Sequence, residues 1–150
     1  MNFESDRNVP VDIGVFCEAL FGFVRNFGLH RDNETPCGSP MSVSEAHALT
    51  ELLGGPLAPS VLADRLCLSR STVSRLIEKL QERGRILRRR DPTDGRATQI
   101  HLSAEGRRAA ERVLVSRHAR LTRLISNIDA SSRSDVVRAL QLLAEASKHD

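Results

Sequence analysis

The chain has 150 residues, 40% of them hydrophobic and 27% charged, with a formal net charge of +3, which is one domain's worth and enough to bury a core. No apolar stretch approaches a membrane span, the opening MNFESDRNVPVD shows no signal peptide, and no Gly-rich phosphate loop, Ser/His/Asp arrangement or helix-borne metal motif appears, so neither an enzyme nor a cofactor is expected. Cys17, Cys37 and Cys67 are an odd number without short-range pairing, which argues against a disulfide framework and for a reducing cytoplasm.

From about residue 11 to 29, Ile13, Phe16, Leu20, Phe23, Val24 and Phe27 recur three or four apart, the spacing of one helix with a broad apolar stripe. Four of the five phenylalanines fall within it, so this helix needs a partner surface. Residues 30–40 are mostly polar, with two prolines and a glycine, and read as a loop. Ser42 followed by Glu45 is a capping box that opens a helix over 43–53, with Ala46, Leu49 and Leu53 on its buried face. Gly54, Gly55 and Pro56 stop it.

Pro59 opens a short helix over 59–66, because its missing N–H is harmless in a first turn. The link Cys67, Leu68, Ser69 follows, with Cys67 expected in the core. Ser69 caps the next helix and Gly84 ends it. Along that helix Val73, Leu76, Ile77 and Leu80 sit at i, i+3, i+4 and i+7, opposite a polar face with only Glu78 acidic. Residues 85–90 and 98–102 read as the strands of a hairpin with its tip at 91–97, Ile100 and Leu102 turned to the core. A hairpin this short is marginal alone, so the helices beneath must hold it. Ser103 caps a helix running to about residue 127. Roughly 25 residues at about 1.5 Å each make a rod of roughly 37 Å, too long to lie within so small a domain, so it projects. The last helix, about 134–148, presents Val136, Val137, Leu140, Leu143 and Ala144.

The fold class is therefore mainly α with a small β wing. Helix, turn, basic helix and basic hairpin make a winged helix-turn-helix, a module suited to duplex DNA. The charge agrees: from Arg65 to Arg96 there are ten Arg or Lys against four Asp or Glu, while the rest of the chain is slightly acidic. A basic patch on a near-neutral body is the footprint of a polyanion binder. The rival class is a winged domain used for protein contacts without an operator. The basic balance argues against it, as does a Ser/Thr/Arg face with no aromatic anchor.

The stretch SRSTVSRLIEKLQERG, the wing RRRDPTDGR and the following IHLSAEG together resemble the MarR family of bacterial transcription regulators, and helix order and lengths fit that family over most of the chain. The resemblance implies that residues 41–103 form the DNA-binding winged helix-turn-helix, while 1–40 and 104–150 form a helical dimerisation region of N- and C-terminal helices. It implies a homodimer on a pseudo-palindromic double-stranded operator, recognition helices in successive major grooves about 34 Å apart, acting as a repressor. Two positions depart from the family pattern: Arg85 stands where an apolar residue usually follows the glycine, and Asp94-Gly95-Arg96 replaces the commoner Asp-Arg-Arg.

The expected DNA-binding set is Ser69, Arg70, Ser71, Thr72, Ser74, Arg75 and Lys79 from the helix, with Arg88, Arg89, Arg90, Asp94, Gly95 and Arg96 from the wing. Arg75 or Arg70 reads bases, since arginine is the best bidentate reader of guanine. Arg88, Arg89 and Arg90 hold phosphates, Arg96 suits a narrowed minor groove, and Asp94 orients a basic partner. Arg83 and Arg85 read as solvated side chains or surface ion pairs.

Family members release DNA on binding a small ligand or on oxidation of a cysteine, and three switches compete here. One is a small aromatic effector in an apolar pocket lined by the first, second and fifth helices. Another is redox sensing at Cys17, near where hydroperoxide-sensing relatives carry a reactive cysteine; against it, the chain has no Tyr to serve the thiolate, and a small buried hydrophobe is the alternative reading. The third is a metal held by His30, Cys37, His47 and His118, which lack tight ligand spacing.

Overall fold

The apolar spacings, caps and glycine stops become α1 (Ile13–Phe27), α2 (Val43–Glu51), α3 (Pro59–Leu66), α4 (Arg70–Glu82), β1 (Ile86–Arg90), β2 (Thr98–Leu102), α5 (Ala104–Ser126) and α6 (Arg133–Ala146) in the computed structural model, which describes residues 12–148. Val11, expected to begin the first helix, and most of the opening segment read for a signal lie outside the described residues.

The core forms where α2, α3, α4, the hairpin and the start of α5 meet. Leu49, Leu62, Ile77, Leu80, Ile86 and Ile100 are its largest buried aliphatic side chains. Fully burying one such side chain is worth about 1.5–3 kcal/mol, so this cluster supplies the main drive to fold. On α2 the buried residues are Glu45, Ala46, Ala48 and Leu49, while Leu53, expected among them, packs at the margin from the 3-10 turn Leu52–Gly54.

β1 and β2 pair antiparallel, Ile86 opposite Leu102 and Arg90 opposite Thr98. Pairing starts at Ile86 rather than Arg85, because Arg85 N–H still bonds back to Leu80 C=O across Gly84. Gly84 allows that return with a φ of 66°, a region costly for side-chain-bearing residues. Leu57 adds a rung unseen in the sequence, exchanging both backbone bonds with Ile100 at 3.2 and 2.8 Å. The wing's base is thus held from both sides.

Cys67 corrects the sequence expectation. It closes α3 in the left-handed region (φ 52°) with its side chain exposed, and the turn sends Leu68 into the core instead. α5 buries only its first half, through Gly106, Ala109, Ala110 and Val113. Beyond that it stands clear of the core, as do α1 and α6, which bury nothing. Ile13, Phe21, Leu140 and Leu142 lie open on these helices. Cys17, weighed as a small buried hydrophobe, is likewise exposed on α1.

Candidate nucleic-acid interface

Ser69 starts the site. Its backbone is extended, and its Oγ accepts the Thr72 N–H at 3.2 Å while sharing hydrogen bonds with the hydroxyls of Ser71 and Thr72. The cap thus occupies Ser69 and gathers three hydroxyls at the first turn of α4. Arg70, Ser71, Thr72, Ser74 and Arg75 are all exposed there, with the apolar stripe turned inward. Ser74 Oγ reaches Glu78 only weakly, at 3.4 Å. Among the described residues, Arg70, Arg75, Arg88, Arg89, Arg90 and Arg96 form no ion pair, so their charge is uncompensated and open to solvent.

Strand alternation divides the three wing arginines that the sequence reading treated as one block. Arg88 shares the Ile86 face of β1 and lines a cleft with Arg70 and Ser74 of α4 and Ser60 of α3. Arg89 points to the opposite face with Leu87. The strand therefore offers its guanidinium groups in two directions.

At the tip, Asp94 does not orient a basic side chain: its Oδ1 accepts the backbone N–H of Arg96 at 3.1 Å. Asp91, unremarked in the sequence, is the organising residue. Its Oδ1 accepts N–H groups of Thr93 (2.7 Å) and Asp94 (3.2 Å), and its Oδ2 accepts Gln99 Nε2 at 2.6 Å. The Thr93 bonds, with that from Asp94 N–H, hold this carboxyl below its usual pKa. The Asx turn that results carries Gly95 and Arg96 out at the exposed end of the wing.

Lys79 is engaged elsewhere than the sequence placed it. Its Nζ lies 3.4 Å from Glu45 Oε1, and Arg83 Nη1 donates to the same oxygen at 2.9 Å. Arg83 is therefore no free surface charge: its partner is 1% exposed. Among the described residues, the half-buried Arg85 side chain hydrogen-bonds only the Met41 thioether, at 3.6 Å.

A second cavity of about 130 Å³ lies between α1, α2 and α5, walled by Phe27, Val43, Ala46, Val113 and Leu121, with Cys37, His47 and Arg117 at its polar edge. Desolvation, then the Arg117 charge, pulls the His47 imidazole below its usual pKa, against a smaller pull from Glu51. Of the four residues weighed for a metal, only Cys37 and His47 meet here; His30 and His118 are exposed elsewhere. Among the described residues, no three His, Cys, Asp or Glu side chains gather as a ligand set.

Residues 39–97 match the MarR family. An HTH-type transcriptional regulator of Mycobacterium leprae (strain TN), ML2140, described as uncharacterized, is 33% identical over 111 residues, covering 71% of this chain and 76% of its own. The chain belongs to the MarR family. It is a transcriptional regulator with the family's mainly helical, winged architecture. Among solved MarR-like folds, FabT of Streptococcus pneumoniae, in complex with DNA, superposes with a TM-score of 0.75 at 20% identity, covering 92% of this chain and 99% of that one. PcaV of Streptomyces coelicolor, in complex with its natural ligand, gives 0.69 at 21% identity over 93% and 99%. No described helix is long and apolar enough to cross a membrane.

Proposed function

We propose that two copies of this MarR-family chain bind a pseudo-palindromic DNA operator in the cytoplasm and repress transcription, with no catalytic role. The observation that carries this is the exposed Arg and Ser/Thr face of α4, whose Arg70 and Arg75 form no ion pair among the described residues, beside the Arg96-tipped wing. Arg75 reads a base and Arg96 enters the minor groove, while Arg70 and Arg88, sharing one cleft, hold phosphate. The open apolar faces of α1 and α6 support a homodimer built through them.

The cavity between α1, α2 and α5 favours a small aromatic acid as effector. Its walls are apolar, burial and the Arg117 charge disfavour protonation of His47, and Arg117 supplies one cation for a carboxylate.

Selection of duplexes from a random pool tests the reading, since wild type must enrich a two-fold motif. On the selected duplex Arg75→Ala costs about 1–3 kcal/mol and relaxes preference at one base per half-site. Arg96→Ala weakens binding with little change in preference. A pool left unenriched, with a protein partner found instead, favours the protein-contact module.

A further inference from the structure

Glu45 sits on the side of α2 away from solvent, 1% exposed, and uses both carboxylate oxygens. Oε2 accepts the Ser42 N–H at 2.7 Å and completes the cap of α2. Oε1 accepts Arg83 Nη1 at 2.9 Å and lies 3.4 Å from Lys79 Nζ, and both cations belong to the end of the recognition helix. A capping glutamate needs neither burial nor cations, so the cap accounts for only half of this arrangement. Buried ion pairs add little net stability, because desolvation offsets their attraction, yet they fix geometry.

Geometry is what the rest of this interface lacks. Otherwise α4 and α2 share an apolar core, to which Leu76, Ile77 and Leu80 of the one and Ala46 and Leu49 of the other belong, and apolar packing is non-directional and tolerates a slide or a roll. A charge-assisted bond at 2.9 Å does not. Lys79 and Arg83, one turn apart, grip one carboxylate and define both the rotation of α4 about its axis and its position along it. The same turns of α2 present Val43, Ala46 and His47 to the effector cavity, so one short helix borders the cavity and holds the recognition helix.

We propose that Glu45 is a positioning residue: it locks α4 to α2 and sets the angle at which Arg70 and Arg75 meet DNA, so that displacement of α2 at the cavity is passed to the recognition helix. This rests on the DNA-binding reading above.

Glu45→Gln gives a test in which two accounts differ in sign. Removing the buried negative charge frees Lys79 and Arg83, so on charge alone the variant binds every duplex more tightly, selected and scrambled alike. Positioning requires the reverse for the selected duplex. Fluorescence-anisotropy titrations at one fixed salt concentration should show its affinity falling about tenfold or more, as misplaced base contacts imply, while the scrambled duplex binds as well as before or better. A parallel rise on both duplexes, or an unchanged ratio between them, overturns the proposal. If Glu45→Gln melts before titration, Arg83→Gln removes the shorter bond from its solvent-exposed end and must lower the same ratio. Wild type that prefers no duplex sinks the DNA-binding reading and this inference together, and does so before any variant is made.

Discussion

Glu45 keeps its charge inside the protein because its donors outweigh its burial. Burial raises the pKa of this carboxyl, but the Ser42 N–H, the Arg83 guanidinium and the Lys79 ammonium together leave it below the ordinary value. A depressed folded-state pKa contributes stability that is present above the unfolded value, about 4.3, and is lost as pH falls through the folded one. Urea midpoints should therefore fall as pH drops below about 4.3, and Glu45→Gln should flatten that part of the acid limb. Asp91 and Glu105 are also depressed but lie at the surface, where solvent screens what they add. An equal acid limb in the variant would mean that Glu45 is not the group responsible. None of this was legible in the sequence. Ser42-x-x-Glu45 announced a cap, whereas burial and the two cations come from residues 34 and 38 positions away and exist only once α4 docks. Cys67 failed for a related reason: a sulfur between leucines looks apolar, and only the left-handed turn turns it outward.

At the scale of elements, α5 is anchored by its first turn. Ser103 caps it by accepting Gly106 N–H at 2.9 Å, and the same hydroxyl donates to Gly84 C=O at 2.7 Å. Ser103 N–H bonds Arg85 C=O at 3.0 Å. Gly106 lies so close that an added Cβ would overlap the Arg85 carbonyl oxygen and sit 2.8 Å from its carbon. That contact is backbone on backbone, and no side chain can move to relieve it. Gly106→Ala should destabilise the protein by about 2–3 kcal/mol, despite the helix propensity gained, and thermal melting would register it. A rise in melting temperature would show that α5 can shift at no cost. The Ser-x-x-Gly spacing was visible in the sequence, but its reason was not. By contrast, α3, α4 and β2 were legible nearly to the residue, since Pro59, Ser69, Gly84 and the apolar period are local signals. The split between Arg88 and Arg89 follows from strand period alone and was available to a sequence reading that treated the wing as a strand first.

For the whole molecule, one half is finished and the other is not. The winged half buries its own core, while α1, α6 and the outer half of α5 leave Phe21, Val115, Leu121 and Leu140 in the open. A second copy laid against these helices would cover them and set two recognition helices facing the same side of a duplex. That arrangement would make DNA binding strongly ionic. Arg70, Arg88, Arg89, Arg90 and Arg96 stand unpaired on each protomer among the described residues. If each displaces one condensed counterion, Arg96 from within the minor groove and the others at phosphates, a dimer releases about ten. The decisive measurement is the affinity for the selected duplex across a range of salt concentrations. The paired, arginine-led complex predicts log K falling against log salt with a slope of about −9. A slope near zero would contradict it.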